Sequence, residues 1–355
     1  MANFDQTLLN IATNGMLSIV ISLGQQLKLF DALAEIGSES SPATAKDVAN
    51  RLKLKERYVK EWLCCMAAGD IIEVDESGEN FWIPKDRIPS LCGDTVSMAF
   101  TTQSLVPLFS AIIPKVAETF KQDGPYGVNY DQYNGIHKVI DDISRTQQRK
   151  YLINDLLPLT GMMEKMNDEL KVLDVGCGNG YQILEIAQHF PRSKFIGIDL
   201  SADAIASAER TRQERQLNNV SFVQMNAQKL AEDWSDRFDW ITVFDACHDQ
   251  TRPDLSLKEI HRVLKSNGTL TVFETNGTGN VYTDKIEFGK QAAFGYAISV
   301  LACLQVGSQS EDALCLGSMW GRKRAMQLLN ESGFHNVQQI ETPFLRTKIL
   351  YVCHK

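Results

Sequence analysis

The sequence predicts an α/β fold: a Rossmann-like, mostly parallel sheet of seven strands, preceded by a helical domain with a winged helix. Three observations predict this class. In the C-terminal half, short β-rich runs alternate with helical segments, a pattern typical of a parallel sheet with helices on both faces. In the N-terminal part, two short helical segments lead into a hairpin. The length of 355 residues fits two domains of roughly 100 to 200 residues each.

The N-terminal segment, residues 1–95, is predicted to be a winged-helix and dimerisation domain. Residues 8–36 place apolar side chains at helical spacing and predict one or two helices, with Gly24 as the candidate break. Two short helices joined by a turn are expected over 45–68. The β-rich runs over 71–84 then form a two-stranded hairpin, which completes the winged helix.

Residues 96–165 are predicted to be a helical linker and pocket lid. An aromatic, Gly- and Pro-rich break at 122–133 suits a loop that crosses a pocket, although a surface connector fits the composition equally well. Residues 166–355 form the last segment, with seven expected strands and four main helices. The strands are expected at 171–175, 193–198, 220–225, 240–244, 269–273, 337–340 and 349–353. The helices are expected at 181–189, 202–216, 255–264 and 322–332.

The charge balance argues against nucleic acid as a partner. The net charge is −8, and a nucleic-acid binder usually carries a positive face. Basic residues do gather around the second helix of the winged helix, but Glu56 and Glu61 interleave with them. These basic residues are Arg51, Lys53, Lys55, Arg57 and Lys60. The composition therefore favours a homodimerising or covering role for this domain over DNA binding.

Cysteine usage and the N-terminus predict a cytoplasmic protein. The eight cysteines form no C-x-x-C pair and no Cys/His ligand spacing, so reduced thiols and no metal site are expected. The first residues lack the basic segment and apolar run of a signal peptide. The longest uncharged stretch, 291–310, contains Gln, Ser and Gly, which predicts a buried helix or pocket wall and no membrane span.

A glycine turn carries the strongest functional signal. A predicted strand ends at Asp174 and Val175, and a turn with Gly176, Gly178 and Gly180 leads into a helix. Glycines let backbone N–H groups approach a ligand closely. The dinucleotide fingerprint needs its third glycine one residue later, where Tyr181 stands, so a nicotinamide site is disfavoured.

The next predicted strand ends in Asp199. An acidic residue at that place can accept hydrogen bonds from both hydroxyls of a ribose. A helix-capping Asp is the alternative. No Lys-Ser/Thr pair follows the glycines, so the phosphate-cradling P-loop is excluded. Together the two strand ends predict a site for an unphosphorylated nucleoside.

These strand ends, together with 225–228 after the third strand, resemble the successive motifs of class I S-adenosylmethionine-dependent methyltransferases. The resemblance implies that the glycine turn and Asp174 hold the methionine end, Asp199 the ribose, and Asn226 with Ala227 the adenine. Asn226 stands where the family often has Asp. The residues that the resemblance assigns to the cofactor are Asp174, Gly176, Cys177, Gly178, Gly180, Asp199, Leu200, Asn226, Ala227, Phe244, Asp245 and Tyr133.

A narrower resemblance, to winged-helix methyltransferases of bacteria and animals that act on small molecules, rests on 244–253 and 317–321 with the N-terminal winged helix. It implies an acceptor pocket covered by the N-terminal half. A homodimer through the N-terminal domain is expected from that domain's own composition. Candidate acceptor contacts are Tyr130, Asp249, Met319 and Trp320, with Phe294 and Tyr296 as further apolar wall residues.

Methyl transfer from a sulfonium is an in-line displacement that depends chiefly on alignment, so strong acid–base groups are optional. His248 follows the fourth strand of the sheet, where ligands of open α/β sheets bind. It is the candidate base, and a structural role in its loop fits equally well. Because no second catalytic histidine is evident, a small thiol, which ionises at a pKa of about 8.5, is the preferred acceptor.

Three alternatives stay open in the sequence. One is methyl transfer to a small hydroxyl or phenol. Another is methylation of a protein or an RNA, and the charge balance counts against RNA. The third belongs to a different class of protein, a winged-helix regulator that binds S-adenosylmethionine without catalysis and uses the basic residues around Arg57 and Lys60.

Overall fold

The computed structural model describes residues 3–93 and 96–355. The chain divides into two compact units, Met1–Ala111 and Ile112–Lys355. The helices are α1 (Phe4–Gln26), α2 (Leu29–Ile36), α3 (Ala45–Leu52), α4 (Glu56–Ala68), α5 (Ile88–Leu91), α6 (Met98–Thr101), α7 (Leu105–Thr119), α8 (Ile136–Tyr151), α9 (Leu157–Leu159), α10 (Tyr181–His189), α11 (Ala202–Glu214), α12 (Pro253–Val263), α13 (Val281–Phe288), α14 (Lys290–Ile298), α15 (Leu304–Gly307) and α16 (Arg322–Glu331). The strands are β1 (Ala43–Thr44), β2 (Glu73–Val74), β3 (Asn80–Trp82), β4 (Lys171–Val175), β5 (Lys194–Asp199), β6 (Val220–Gln224), β7 (Phe238–Phe244), β8 (Leu264–Thr275), β9 (Asn336–Glu341) and β10 (Lys348–His354).

The first unit is a winged helix with its own apolar core. Thr44 begins α3 with a reciprocal cap, in which Thr44 and Asp47 each satisfy the other's backbone N–H. The aromatic rings of Phe30 and Trp62 meet edge to face with centroids 4.8 Å apart. The wing strands pair in the order β1-β3-β2, so the predicted hairpin gains a third, very short strand.

Gly24 does not break the first helix as the sequence suggested. The α1 helix runs through Gly24, and the left-handed residue Lys28 separates α1 from α2. A Cβ at Gly24 would lie 2.5 Å from the Trp62 ring. The glycine therefore permits close packing of α1 on α4, which a pattern of breakers along the sequence does not reveal.

The second unit contains a seven-stranded sheet in the order β6-β5-β4-β7-β8-β10-β9. Only β10 runs antiparallel to its neighbours, so the sheet is mostly parallel as predicted. Its central strands are buried on both faces; Leu173, Ile198 and Ile241 are fully buried. Such strands read as continuous apolar runs because helices cover both sides.

The strand order places the functional site. From β4 the chain goes outward to β5 and β6, and it then returns to β7 and β8 on the other side of β4. At such a reversal the loops after neighbouring strands separate and leave a crevice at their carboxyl ends. The ends of β4, β5, β7 and β8 are therefore where a ligand site is expected.

Candidate functional site

The turn after β4 leaves room for a ligand at one glycine and packs tightly at another. Gly178 has φ +52°, and a Cβ built there would meet no atom within 4 Å. Gly180 has φ +74°, and a Cβ there would lie 2.7 Å from the ring of Phe222. One glycine therefore faces open space, whereas the other lets α10 begin against a side chain of β6, two strands away from β4.

Asp174 is a buried carboxylate with one unpaired oxygen. Its Oδ1 accepts a 2.7 Å hydrogen bond from the Thr242 hydroxyl, and its Oδ2 has no partner among the residues that the structure describes. The pKa of Asp174 is raised to about 7. Burial is the largest cause, the Thr242 hydrogen bond acts in the opposite direction, and the charge of Asp199 adds to the rise. A buried carboxylate without a full set of partners suits a cationic ligand group, such as the ammonium of a methionine moiety.

Asp199 ties the end of β5 to the glycine turn. Its Oδ2 accepts from the Gly178 N–H at 2.9 Å, and its Oδ1 accepts from the Ser201 N–H at 2.9 Å. Each carboxylate oxygen keeps a free lone pair. The ribose role predicted for Asp199 is compatible with these bonds and stays a prediction.

The other predicted cofactor residues are spread around the same strand ends. Asn226 is exposed and its Oδ1 accepts from the Gln228 N–H at 2.9 Å, so its side chain shapes the turn after β6. Tyr133 is buried, and its hydroxyl donates to the Leu301 carbonyl at 2.7 Å. Asp245 forms an ion pair with Lys348. The remaining members differ in exposure: Cys177 and Phe244 are buried, Gly176 and Ala227 are half-buried, and Leu200 is 69% exposed.

A chain of polar side chains crosses the ends of β7 and β8. Glu274 is completely buried and accepts from the backbone N–H groups of Cys247 at 2.9 Å and His248 at 3.3 Å. Its second oxygen contacts Nδ1 of His248. Nε2 of His248 lies 3.3 Å from Oδ1 of Asp249, and the Tyr130 hydroxyl donates to Oδ2 of Asp249.

The charges of this cluster are set by its burial. Burial acts to lower the pKa of His248, but the carboxylates of Glu274 and Asp249 outweigh it and hold that pKa well above the usual range. Burial and the neighbouring Asp249 hold the pKa of Tyr130 well above its usual range. Near neutral pH, His248 is therefore an imidazolium, and Tyr130 stays protonated and can donate.

Cys303 joins the cluster through an irregular turn. Residues Ser299–Cys303 form a π-helix between α14 and α15, a feature that occurs often at functional sites. Burial raises the pKa of Cys303 to about 11, with His248 acting in the opposite direction. Ligand atoms of His248, Asp249 and Cys303 lie within 4.8 Å of one another, a grouping that the sequence spacing did not indicate. Asp245, His248 and Glu274 form a second such group.

The predicted acceptor residues divide into two sets. Tyr130 and Asp249 belong to the polar chain. Met319 is buried, with its sulfur near Gly295, and Trp320 packs half-buried against the core of the sheet. The two further wall candidates differ: Phe294 is 48% exposed, and the Tyr296 hydroxyl donates to the buried Asp284 at 2.6 Å.

Sequence reasoning missed four residues of this site. Glu274 is a carboxylate at the end of the apolar strand β8, and that position is a signal that the sequence offers. Thr242, Cys303 and Lys348 carry no such signal, because their partners are distant in sequence.

Three of the five basic residues named in the winged helix have acidic partners. Arg51 pairs with Glu35 at 2.7 Å, and Lys60 pairs with Glu79 at 2.6 Å. Arg57 forms an ion pair with Glu61 on the same helix. These pairs reduce the positive potential that a phosphate backbone would meet.

Comparison with known families gives two matches. Residues 166–333 match a model described as a methyltransferase domain, and residues 15–92 match an Rv2258c-like winged HTH domain. The chain therefore contains a methyltransferase domain and an N-terminal winged HTH domain. The predicted family and fold class are thereby confirmed, and the matched domain is of the kind that methyltransferases contain.

Solved structures resemble the whole chain at low identity. An O-methyltransferase family protein from Burkholderia thailandensis superposes with a TM-score of 0.72 and 13% identity, covering 100% of this chain and 98% of its own. Human N-acetylserotonin methyltransferase in complex with SAM superposes with a TM-score of 0.67 and 16% identity, covering 100% of this chain and 98% of its own. At this identity the similarity shows the fold alone.

Curated relatives match the methyltransferase domain only partly. The ubiquinone/menaquinone biosynthesis C-methyltransferase of Rhizobium rhizogenes is 28% identical over 148 residues, which are 40% of this chain and 57% of that protein. An uncharacterised protein of Rickettsia prowazekii is 28% identical over 116 residues, 31% of this chain and 44% of its own. The chain thus spans about half the length of these two relatives.

Proposed function

We propose that this protein transfers the methyl group of S-adenosylmethionine to a hydroxyl of a small molecule. One observation carries the choice of a hydroxyl: a buried proton-accepting cluster of His248, Glu274 and Asp249 lies at the ends of β7 and β8. A neutral hydroxyl must lose its proton during transfer, and a buried carboxylate–histidine cluster offers a place for it. The preference for a thiol has no such support.

The residues at the ends of β4 and β5 fit the cofactor. The orphaned oxygen of Asp174 suits its ammonium, and the space at Gly178 suits close approach of its backbone. The bound cofactor supplies an electrophilic methyl group on a positively charged sulfonium. The protein's own residues hold the acceptor in line and receive its proton, and such positioning accounts for roughly 7 to 11 kcal/mol of a barrier.

Similar structures support an oxygen acceptor. Two of them are described as an O-methyltransferase family protein and as mitomycin 7-O-methyltransferase. A phenol has a pKa of about 10, and a free thiol one of about 8.5. The phenol gains more from a base at neutral pH, because less of it is ionised in water.

The test is an acceptor panel. Purified protein is incubated with S-adenosylmethionine and matched phenol, aliphatic alcohol and thiol series, and S-adenosylhomocysteine is measured. We expect turnover with at least one phenol or alcohol to exceed turnover with the thiol of the same skeleton. Turnover confined to thiols would overturn the oxygen assignment. Tight binding of S-adenosylmethionine without turnover of any acceptor in the panel would favour a winged-helix regulator that binds S-adenosylmethionine without catalysis.

A further inference from the structure

One histidine of the proposed site lies between carboxylates on both sides of its ring. This inference rests on the proposed hydroxyl methylation. Nδ1 of His248 contacts Glu274, and Nε2 lies 3.3 Å from Oδ1 of Asp249. A neutral imidazole offers one donor and one acceptor nitrogen. Carboxylates stand near both nitrogens, and their negative charge favours the protonated, positively charged ring.

Around the His248 ring, each positive charge has a carboxylate partner, and one carboxylate remains without a cation of its own. Asp245 is neutralised by Lys348 of β10, and Glu274 of β8 is neutralised by the imidazolium. Tyr130 from the segment before α8 and Cys303 from the π-helix face the cluster as neutral groups, since burial raises the pKa values of both. The net charge of −1 therefore lies on Asp249.

Asp249 also has the oxygen that is free to accept. Its Oδ2 takes the hydrogen bond from Tyr130, whereas Oδ1 is buried and forms no hydrogen bond within residues 3–93 and 96–355. Its contact with Nε2 of His248 is an ion pair at 3.3 Å. A buried carboxylate oxygen without a hydrogen bond is costly, and an acceptor hydroxyl would supply one.

We propose that Asp249 takes the proton from the acceptor hydroxyl and that His248 acts as a fixed cation that positions Asp249. The acceptor oxygen bonds to the methyl carbon as the methyl–sulfur bond breaks, and that electron pair stays on sulfur. The acceptor's proton passes to Oδ1 of Asp249. The sulfonium and the carboxylate both become neutral, so the transfer removes one pair of opposite charges from a buried site.

The first test reads the protonation state of His248 without any turnover. Protein labelled with ¹⁵N in its histidine rings is titrated by NMR from pH 6 to 9, and the Asp249→Asn and His248→Gln proteins identify the His248 signals. We expect both ring nitrogens to stay protonated at pH 7.5, with the imidazolium lost at a lower pH in Glu274→Gln. A neutral His248 ring at pH 7.5 in the unmodified protein would overturn the proposal, whether or not an acceptor is known.

The second test uses an acceptor pair of one skeleton, a phenol of ordinary pKa and a nitrophenol already ionised at the assay pH. Asp249→Asn should lower kcat on the ordinary phenol by roughly 10²- to 10⁴-fold, the usual contribution of a general base. It should lower kcat on the ionised phenol far less. Asp249→Glu should recover part of the loss, because it restores a carboxylate.

His248→Gln and Tyr130→Phe are the matched comparisons, because each leaves the Asp249 carboxylate in place. For both we expect similar losses on the two phenols, as for positioning residues. Thermal unfolding and S-adenosylmethionine binding check that each variant folds. The contrary outcome is that His248→Gln lowers kcat only on the ordinary phenol while Asp249→Asn lowers kcat on both phenols alike. That result would identify His248 as the base. Failure of the unmodified protein on every acceptor would instead reject the proposed function, and the NMR result would still stand.

Discussion

At the scale of single residues, the unusual feature is how many ionisable groups are buried at the ends of the central strands. Asp174 and Glu274 are 1% and 0% exposed, and His248 is 3% exposed. Buried charges are costly unless they are paired or serve a ligand. Glu274 has backbone donors and His248, whereas Asp174 keeps an oxygen that no described residue satisfies. Asp174 is therefore the buried carboxylate whose energetics we expect to change most when a ligand binds.

The raised pKa of Asp174, about 7, predicts a pH-dependent cofactor affinity. A cationic ligand group favours the ionised carboxylate, so protein that starts protonated must release a proton on binding. We expect S-adenosylmethionine to bind more tightly as the pH rises from 5.5 to 7.5, measured by calorimetry in buffers of different ionisation enthalpy. Asp174→Asn should bind more weakly and without this pH trend. An unchanged trend in that variant would show that another group titrates.

Two glycines of the turn after β4 should separate folding from binding. Gly180→Ala combines positive φ with contact against Phe222, and we expect it to lower the free energy of unfolding by about 1 to 3 kcal/mol. Gly178→Ala meets no atom within 4 Å, so its cost is the backbone strain alone and its main effect is weaker cofactor binding. Chemical denaturation and cofactor titration measure the two effects. Equal stability losses would contradict this division.

The grouping of His248, Asp249 and Cys303 raises the question of a metal ion. Lys348 and the imidazolium already supply positive charge within the cluster. We expect dialysis against a chelator to leave turnover unchanged, with metal content measured by mass spectrometry. The opposite outcome would be that chelation abolishes turnover, that Zn²⁺ restores it, and that Cys303→Ser prevents this restoration. It would show that these three side chains hold an ion.

At the scale of elements, the first half of α1 is exposed along its whole length. Its apolar residues Phe4, Leu8, Leu9, Ile11 and Met16 are 49–70% exposed, which is unusual for a stable surface helix. Within the described part of the chain it is also the helix long and apolar enough to cross a membrane by length and composition. We propose that a second copy of this chain covers α1, in line with the homodimer predicted from the composition of the N-terminal domain.

Substitutions in α1 test this assignment. The double variant Leu8→Lys and Ile11→Lys changes two residues of one helix face, and we expect it to convert the dimer into monomer in light scattering. Thr13→Lys adds a charge on another face of the same helix and serves as the control. A monomeric unmodified protein would contradict the proposal, and its co-flotation with phospholipid vesicles would indicate a membrane surface instead.

At the scale of the whole molecule, charge determines which partners are plausible. The net charge is −8, and Arg51, Arg57 and Lys60 of the winged helix are engaged by carboxylates. We expect no retention of a mixed-sequence DNA duplex at 150 mM salt, measured by fluorescence anisotropy. Glu61→Gln, which frees Arg57, is the sensitised comparison. Salt-dependent binding of the duplex by the unmodified protein would instead support the alternative of a DNA-binding winged-helix regulator.

The cytoplasmic location and the three-part division at 1–95, 96–165 and 166–355 stay predictions from the sequence. The structure divides into two compact units at 111 and 112. Fractionation of cells that express the full chain would test the location.

The fold was largely predictable because its signals are local. The β-rich runs placed six strands of the large sheet within two residues of their ends, β8 begins five residues before its predicted start, and the glycines after β4 marked the turn. The third wing strand, β1, was not predicted, because a strand of two residues is too short to show a sequence pattern. The π-helix escaped because it differs from an α-helix only in which backbone groups bond.

By itself, the sequence determined the alternation of strands and helices, the glycine turn and Asp174 with Asp199 at neighbouring strand ends. Each of these depends on residues close together in the chain. Only the tertiary structure brought Glu274 to His248, 26 residues away, and Tyr130 to Asp249, 119 residues away. It also places the carboxylates whose charge raises the pKa of His248, a shift that depends on distant residues and their burial.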